Sequence, residues 1–385
     1  MSGQTDSGAE SGRPMSAHTD SGTTWIDQHA GATLAVFRAL QLGDMLCAIP
    51  ALRALRAALP QTRIALIGLP WAAQFAARFP QYIDEFLAFP GHAAFPEQAV
   101  QQHLLAEFYA SMRARRFDMA LQMHGSGEYS NNVTRAFGAC AMAGYGDAAS
   151  VGREQFHPYP DGGAEPLRLL DLVVLLGAPA QGDHLEFPIT DADERELGAS
   201  GLSDGLTAGG YVCIHPGARM RDKCWHPARF AQVADHIAAE FDVQIVLTGS
   251  ADEAPLTAAV ASRMRYKALD AAAPISIGAM AALMSRARLL ICNDTGVSHI
   301  AAGLKLHSVV VFSKADIRRW APLDKQRHRC LWDPEGGRVR DVIDHAFSLL
   351  SLPSYLDDAA ADNPTALTRQ HSTLGGDTWR ERPLG

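Results

Sequence analysis

The sequence predicts an α/β protein built from two doubly wound domains that face each other across a cleft. The chain has 385 residues, a length that suits two domains of ordinary size. From Thr33 onward, short apolar runs alternate with longer helical periods, which is typical of βα units and a parallel sheet. The alternation forms two series, separated by the stretch Asp161–Gly209, which is dense in glycine, proline and acidic residues. We therefore expect one domain from each series.

Composition excludes several other classes of protein. Hydrophobic residues make up 47 % and charged residues 20 % of the chain, as in ordinary globular proteins. The net charge of -8 lacks the basic footprint of a dedicated nucleic-acid-binding protein. The six cysteines form no CxxC pair, which argues against a zinc site or a disulfide framework. The longest uncharged stretch has 15 residues, fewer than the roughly 20 that a bilayer span needs, so we expect a cytoplasmic protein.

The first series predicts a domain over residues 31–180. Residues 1–30 are rich in Ser, Gly and Thr and are expected to form a disordered leader. After Gln98, four apolar residues recur at intervals of four and predict one buried helix stripe: Val100, Leu104, Phe108 and Met112. The predicted strands are Leu34–Phe37, Ile64–Gly68, Glu85–Phe89 and Met119–Met123.

The second series predicts a domain over residues 181–335. A helix is expected over 336–352, and residues 353–385 are expected to be flexible because the apolar periodicity stops. A short helix is also expected near Ala192–Leu197. One helix stripe comprises Phe230, Val233, Ala234, Ile237 and Phe241, and another includes Ile277, Met280 and Met284. The predicted strands are Tyr211–Ile214, Val243–Thr248, Leu289–Cys292 and Ser308–Phe312.

Ligands of parallel sheets usually bind beyond the carboxyl ends of the strands, so the loops after the strands are the candidate sites. Asp44 follows the first strand at a strand-to-helix corner. Its carboxylate either caps the helix or acts as a general base towards a hydroxyl nucleophile. Arg38, on the same loop, is either an anion-binding residue or a solvated surface charge.

Two loops of the second domain carry candidate anion sites. His215-Pro216-Gly217-Ala218-Arg219 is followed by Lys223, and such cations near a strand end can neutralise phosphate. Asn293-Asp294-Thr295-Gly296-Val297-Ser298-His299 follows the third strand, where a helix start offers backbone N–H groups to an anion. The alternative is a cap by Asp294 or Thr295, with His299 as a core histidine.

One further strand end in the second domain carries Thr248 and Glu253. This carboxylate either accepts hydrogen bonds from a ribose or only complements a helix dipole. The motifs GxxxxGK[ST] and HExxH do not occur in the sequence, so P-loop and zincin chemistry lack their usual signals.

Taken in order, these motifs resemble the lipopolysaccharide heptosyltransferases of glycosyltransferase family 9, over about Leu34 to Leu350. The residues that carry the resemblance are Gly43-Asp44-Met45-Leu46 with Pro50-Ala51-Leu52, His215-Pro216-Gly217-Ala218, Lys223-Cys224-Trp225 with Pro227, Thr248-Gly249, and Asp294-Thr295-Gly296 with His299.

The resemblance implies a GT-B architecture of two Rossmann-like domains, with the nucleotide-sugar donor on the second domain and the acceptor on the first. It implies an inverting, metal-independent enzyme with no cofactor. Its donor would be ADP-L-glycero-D-manno-heptose, and its acceptor a lipid-linked inner-core sugar reached by at most peripheral membrane contact.

The resemblance also implies roles for individual residues. Asp44 matches the proposed base of the family, and Arg38 and His124 are our acceptor-binding candidates on the first domain. On the second domain, the resemblance implies that five residues surround the diphosphate and sugar of the donor: Lys223, Asp294, Thr295, Gly296 and His299. Our further donor-binding candidates, from the loops after the strands, are Gly217, Arg219, Thr248 and Glu253.

The sequence departs from the family after the last strand, where Ser313-Lys314-Ala315 replaces the usual Gly-Pro-Thr. Lys314 then either adds a phosphate contact or marks a different donor sugar. Ala218 and Arg219 also replace the threonines that often precede the matching lysine.

Three alternatives stay open: a transferase of the same fold that uses another sugar, a non-catalytic nucleotide-sugar binding protein, and an NAD-linked oxidoreductase. The oxidoreductase ranks last, because Leu40 to Asp44 lacks a glycine-rich first turn.

Overall fold

Two largely parallel sheets, one in each half of the chain, organise the computed structural model, which describes residues 23–147 and 150–352. The first sheet has the strand order β3-β2-β1-β4-β5-β7-β6, and every neighbouring pair is parallel except β6 and β7. Its strands are β1 Thr33–Phe37, β2 Arg63–Gly68, β3 Glu85–Ala88, β4 Met119–Gln122, β5 Ala141–Tyr145, β6 Ser150–Val151 and β7 Glu154–His157.

The second sheet is parallel throughout, with the order β10-β9-β8-β11-β12-β13. In both sheets the strand order reverses beside the first strand, at β1/β4 and at β8/β11, and such switch points open a crevice for ligands. Its strands are β8 Tyr211–His215, β9 Gln244–Gly249, β10 Ala268–Ala272, β11 Leu289–Asn293, β12 Ser308–Phe312 and β13 His328–Trp332.

Helices connect the strands and cover the sheets. Three short 3₁₀ turns supplement them in the described part of the chain: Pro70–Ala72, Arg221–Lys223 and Ala251–Glu253. The helices are α1 Trp25–His29, α2 Leu42–Leu46, α3 Ile49–Ala58, α4 Ala73–Arg78, α5 Gln102–Ala114, α6 Ser130–Arg135, α7 Glu165–Leu175, α8 Asp191–Ser200, α9 Pro227–Glu240, α10 Ala254–Ala261, α11 Ile277–Met284, α12 Gly296–Gly303, α13 Ile317–Trp320 and α14 Val339–Leu350.

All eight predicted strands are confirmed, with their ends shifted by one residue at most. The sequence analysis missed β5, β6, β7, β10 and β13. Short polar or alanine-rich segments such as Glu154–His157 and Ala268–Ala272 lack an apolar run, and most of these strands lie towards the sheet edges, where fewer side chains need to be buried.

Helix α5 corrects the predicted apolar stripe. Met112 is buried and Phe108 partly buried, but Leu104 is exposed and Val100 precedes the helix. The predicted helix near Ala192–Leu197 is confirmed as α8, and the predicted C-terminal helix as α14.

One apolar cluster continues from the first domain into the second. It includes Leu46 and Ile49 of the first domain and Val297 and Ile300 of the second. Helix α2 packs against α12, and a Cβ placed on Gly296 would lie 3.4 Å from the Gly43 nitrogen. The absence of side chains at both glycines therefore permits the close approach of the two domains at their switch points.

The prediction of a disordered leader over residues 1–30 is wrong for its last residues. Residues 1–22 of this leader and the predicted flexible tail, residues 353–385, lie outside the described part of the chain. Thr24 begins α1 with a capping box, in which its hydroxyl accepts from the Asp27 N–H at 3.2 Å. Trp25 and Ile26 are buried, and the Ile26 N–H donates to the Leu176 carbonyl at 3.0 Å. Apolar burial thus orders a segment whose polar composition suggested disorder.

None of the helices within residues 23–147 and 150–352 is both long and apolar enough to cross a bilayer.

We predict that Ile26→Ala destabilises the protein by about 2–5 kcal/mol, because the substitution leaves a cavity beneath α1. Urea unfolding followed by circular dichroism measures the change. Gln28→Ala is the control, since Gln28 lies on the exposed side of the same helix; we expect it to stay within about 0.5 kcal/mol. Equal stability of both variants would mean that α1 does not pack on the domain.

Candidate functional site

A cavity of about 220 Å³ lies where the two domains meet. It brings together six of the predicted site residues: Asp44 from the first domain, and Lys223, Asp294, Thr295, Gly296 and His299 from the second. The remaining lining residues are Gln41, Gly43, Ala315 and Trp320.

Asp44 lies in the first turn of α2, and Gln41 rather than Asp44 occupies the N-cap position. Asp44 lines the cavity, as the general-base alternative requires. Burial raises the pKa of Asp44, while the guanidinium group of Arg38 and the Gln41 N–H partly offset this rise. A carboxylate with a raised pKa is a stronger base than an exposed aspartate.

A buried arginine fixes the loop that carries Asp44. Arg38 is fully buried, and its Nε and Nη2 donate to the Asp44 carbonyl at 3.0 and 2.8 Å. Its Nη1 donates to the Met123 carbonyl at the end of β4. Nη2 also donates to Glu165 Oε1 at 3.1 Å. The guanidinium group thus joins the ends of β1 and β4 to the starts of α2 and α7.

Glu165 extends this network into the second domain. Its Oε2 accepts a hydrogen bond of 2.9 Å from Nε of Arg319, on α13, and its side chain is 4 % exposed. Burial alone would raise the pKa of Glu165, but Arg38 and Arg319 outweigh burial and lower it. The Arg319 guanidinium also lies 4.7 Å from the centre of the Trp320 ring, which lines the cavity. Glu165 therefore links the loop of Asp44 to the second domain through two arginines.

Lys223 and Asp294 form an ion pair at 3.3 Å. They meet because β8 and β11 are neighbours, so the loops that follow these strands lie side by side. Asn293, fully buried, joins the two loops: its Oδ1 accepts from the Trp225 N–H at 2.9 Å, and its Nδ2 donates to the Pro216 carbonyl at 2.8 Å. Lys223 remains partly exposed, so its ammonium group can face an anion in the cavity.

Helix α12 points its amino end at the same cavity. Thr295 is the N-cap residue, and its side chain makes no capping hydrogen bond. The first backbone N–H groups and the positive end of the helix dipole therefore face the cavity, an arrangement that suits an anion.

His299 lies one turn into α12 and is buried, with Nδ1 at 3.8 Å from the Cys47 sulfur. A Cβ on Gly43 would lie 2.9 Å from Cδ2 of His299. Burial lowers the pKa of His299 to about 4. His299 is thus a neutral, packed histidine that also lines the cavity.

The loop Ser313-Lys314-Ala315 contacts the lysine loop. Ser313 Oγ donates to the Lys223 carbonyl at 3.0 Å, and Lys314 pairs with Asp222. Ala315 lines the cavity, whereas Lys314 does not. Lys314 therefore supports the loop of Lys223 instead of facing the cavity itself.

Four donor-binding candidates lie outside this cavity. Thr248 is fully buried, with Oγ1 at 3.2 Å from Nδ1 of His215. Glu253 accepts from the Ser250 N–H at 2.9 Å, as the dipole-partner alternative predicts. Gly217 is buried, and a Cβ there would lie 2.0 Å from Oε1 of Glu253. Arg219 is exposed and forms no ion pair with any residue in the described ranges. Thr248 and Gly217 thus support the loop behind the site.

Both acceptor-binding candidates are buried in the first domain. The guanidinium group of Arg38 is buried in the network described above, so an acceptor cannot reach it. His124 is buried between the rings of Phe37 and Phe95, at centroid distances of 5.3 and 4.2 Å, and its Nδ1 accepts from the Ala39 N–H at 3.2 Å. Burial lowers the pKa of His124 to about 3. Both side chains hold the first domain together beneath the site.

The sequence analysis missed Glu165, Arg319 and Trp320. A glutamate in the first turn of a helix is common, so Glu165 carries no local signal. Arg319 and Trp320 follow a loop that departs from the expected family pattern, and only packing of the domains brings them to Asp44.

Comparison with known proteins identifies related sequences. A family model described as glycosyltransferase family 9 (heptosyltransferase) matches residues 105–338. Lipopolysaccharide heptosyltransferase 3 of Escherichia coli is 30 % identical over 131 residues, and that of E. coli strain K12 is 33 % identical over 131 residues. These matches cover 33 % of this chain and only 37 % and 36 % of the relatives' own lengths.

Solved structures confirm the predicted two-domain GT-B fold. A glycosyl transferase family 9 structure from Veillonella parvula DSM 2008 matches with a TM-score of 0.70 at 20 % identity, covering 83 % of this chain and 97 % of that one. E. coli ADP-heptose LPS heptosyltransferase II matches with a TM-score of 0.65 at 17 % identity, covering 83 % and 98 %. E. coli heptosyltransferase WaaC with ADP matches with a TM-score of 0.63 at 16 % identity, covering 82 % and 99 %.

We predict that Glu165→Gln destabilises the protein by roughly 3–5 kcal/mol, because it leaves the buried Arg38 without its counter-charge. Urea unfolding at pH 7 measures the loss. The pKa of Glu165 is lower in the folded protein than its ordinary value. The wild type should therefore exceed the variant in stability by the full amount above the ordinary glutamate pKa. This difference in stability should vanish as the pH falls through the lowered pKa of the folded state.

The matched control is Asp344→Asn, which breaks the exposed Arg340–Asp344 pair. Exposed pairs contribute at most about 1 kcal/mol. If both variants lost the same small amount, the buried network would not stabilise the fold.

Proposed function

Because the chain belongs to glycosyltransferase family 9, the heptosyltransferase family, we propose that it transfers a heptose from ADP-L-glycero-D-manno-heptose to a lipopolysaccharide inner-core acceptor. One observation carries the proposal: the carboxylate of Asp44 faces the same cavity as Lys223 and the amino end of α12. A base on one domain thus faces an anion site on the other, the arrangement that transfer from a nucleotide sugar requires.

The second domain would bind the diphosphate of the donor. Lys223 supplies a positive charge, and the backbone N–H groups at Thr295 and Gly296 supply hydrogen-bond donors. On binding, the diphosphate would compete with Asp294 for the Lys223 ammonium group, since these two side chains form an ion pair. The matching structure of WaaC contains ADP, which supports an adenine nucleotide here.

The reaction we propose is a single displacement. The Asp44 carboxylate takes the proton of an acceptor hydroxyl, and the oxygen attacks the anomeric carbon as the bond to the ADP oxygen breaks. ADP leaves towards Lys223 and the helix amides, which stabilise its growing negative charge without a metal ion. Attack from the side opposite the leaving group inverts the anomeric centre.

The Arg38–Glu165–Arg319 network would hold Asp44 in place during this step. Arg38 holds the Asp44 carbonyl through two hydrogen bonds, and Glu165 connects Arg38 to α13 of the second domain. Domain closure would therefore align the base with the donor and exclude water.

We further propose that the protein works in the cytoplasm, with at most peripheral contact to the inner face of the inner membrane. The membrane contact follows from the proposed acceptor, which is lipid-linked.

A transferase that uses another donor sugar is the second candidate. Ala315 lines the cavity where the family usually has threonine, so this wall lacks a hydroxyl group that could contact a sugar. A non-catalytic binding protein is less consistent with the site, because Asp44 lines the cavity and does not occupy the N-cap position.

We predict that Asp44→Asn lowers kcat by about 10²–10⁴-fold while ADP affinity stays unchanged, since the variant removes only the proton acceptor. Release of ADP from ADP-heptose in the presence of acceptor measures turnover. In the wild type, kcat/KM should fall as the pH drops through the pKa of Asp44, because protonation removes the base. Since burial raises this pKa, the fall should occur at a higher pH than the ordinary aspartate value of 3.8 predicts. Normal turnover in the variant would remove Asp44 from the base role.

We predict that Lys223→Ala weakens ADP binding by about 10-fold or more, since a charge-assisted bond to phosphate contributes roughly 1.5–3 kcal/mol. Calorimetric titration in EDTA measures the affinity, with UDP and NAD in parallel. Lys267→Ala is the control, because Lys267 is exposed on the second domain and makes no ion pair with any described residue. Unchanged ADP affinity in Lys223→Ala would place the phosphate site elsewhere.

A further inference from the structure

A groove of about 750 Å³ lies at the carboxyl ends of β4, β5 and β7, on the first domain. It is larger than the interdomain cavity of about 220 Å³, and its volume falls within the range of small-molecule sites. The residues that matter for its chemistry are Glu128, Asn131, Asn132, Arg135, Asp147 and Tyr159.

The groove lies beside the network that holds Asp44. Strand β4 is the neighbour of β1, so the loops after these two strands share one edge of the sheet. Tyr159 lines the groove, and its hydroxyl accepts from Nη2 of Arg319 at 2.9 Å. Arg319 in turn pairs with Glu165. A chain of direct contacts therefore leads from the groove wall towards the base.

The charges of the groove disfavour an anionic ligand. Arg135 is the only lysine or arginine among the described residues that line it. Both oxygens of Glu154 accept from Arg135, at 2.8 and 3.0 Å, so this cation is already neutralised. Glu128 and Asp147 are exposed and form no ion pair with the described part of the chain. A carboxylate or phosphate in the groove would thus meet like charges without a free counter-charge.

The other polar side chains of the groove suit a ligand that carries hydroxyl groups. The carboxylates of Glu128 and Asp147 can accept hydrogen bonds from hydroxyls, and the exposed amide of Asn132 can both donate and accept. Asn131 donates to the Tyr145 carbonyl at 2.9 Å, while its buried Oδ1 has no partner among the described residues.

We propose that this groove binds a neutral, hydroxyl-rich saccharide segment of the acceptor, and that it discriminates against sugar acids and sugar phosphates. The inference rests on the proposed transferase function and specifies the class of its acceptor. The two substrate sites then differ in charge: the donor cavity has Lys223 and a helix amino end for an anion, whereas the groove offers carboxylates and amides.

Saturation-transfer NMR with three probes tests the inference: methyl L-glycero-α-D-manno-heptoside, methyl α-D-glucuronide and mannose 6-phosphate. We expect the wild type to bind the heptoside about tenfold more tightly than either anionic sugar. Asn132→Ala should weaken heptoside binding. Glu128→Lys/Asp147→Lys should reverse the preference towards the anionic sugars.

The matched control is Glu240→Lys/Asp242→Lys, which adds the same charge at exposed positions of the second domain. Equal affinity for neutral and anionic sugars, or the same response in the control, would overturn the groove assignment. ADP titration of each sample separates the two proposals. If the wild type does not bind ADP, the transferase function itself is refuted. If it binds ADP but does not prefer the heptoside over the anionic sugars, only the assignment of the groove is refuted.

Discussion

The buried guanidinium group of Arg38 is the constraint on which the architecture of the site depends. Burying a charged group away from water costs free energy unless the group is paired and hydrogen-bonded. Arg38 meets this requirement by donating to two carbonyls and to Glu165. These partners come from α2, from the end of β4 and from α7, so satisfying one side chain fixes three loops at the carboxyl edge of the first sheet. The position of the Asp44 carboxylate follows from this arrangement.

The contact between the domains depends on the same edge. Glu165 accepts from Arg319 of the second domain, and the glycines Gly43 and Gly296 let α2 and α12 approach closely. Because both sheets present their switch points to this contact, Asp44 of the first domain and Lys223 and the amino end of α12 of the second domain line one cavity. The proposed chemistry thus needs residues that neither domain possesses alone.

The site was predictable where local sequence dictates position. Parallel strands place their following loops at one sheet edge, so the gathering of Lys223, Asp294 and Thr295 followed from strand order. Burial was not predictable in this way. Arg38, His124 and Glu253 follow strands just as the cavity residues do, and Thr248 lies at the end of β9. Their side chains nevertheless stabilise the protein beneath or behind the site. Which side of a loop faces the cleft depends on partners distant in sequence, as with Arg38 and Glu165.

The sequence by itself determined the two-series βα pattern, the eight apolar strands and the glycine and acidic residues at the strand ends, because these depend on local periodicity and turn chemistry. Only the tertiary structure decided that α1 is ordered, that Glu165 joins Arg38 to Arg319, and that a groove lies beside this network, with Arg135 as the one cation among its described lining residues. Each of these features depends on groups far apart along the chain. Their pairing is set by which side chains the packed sheets bring within contact distance.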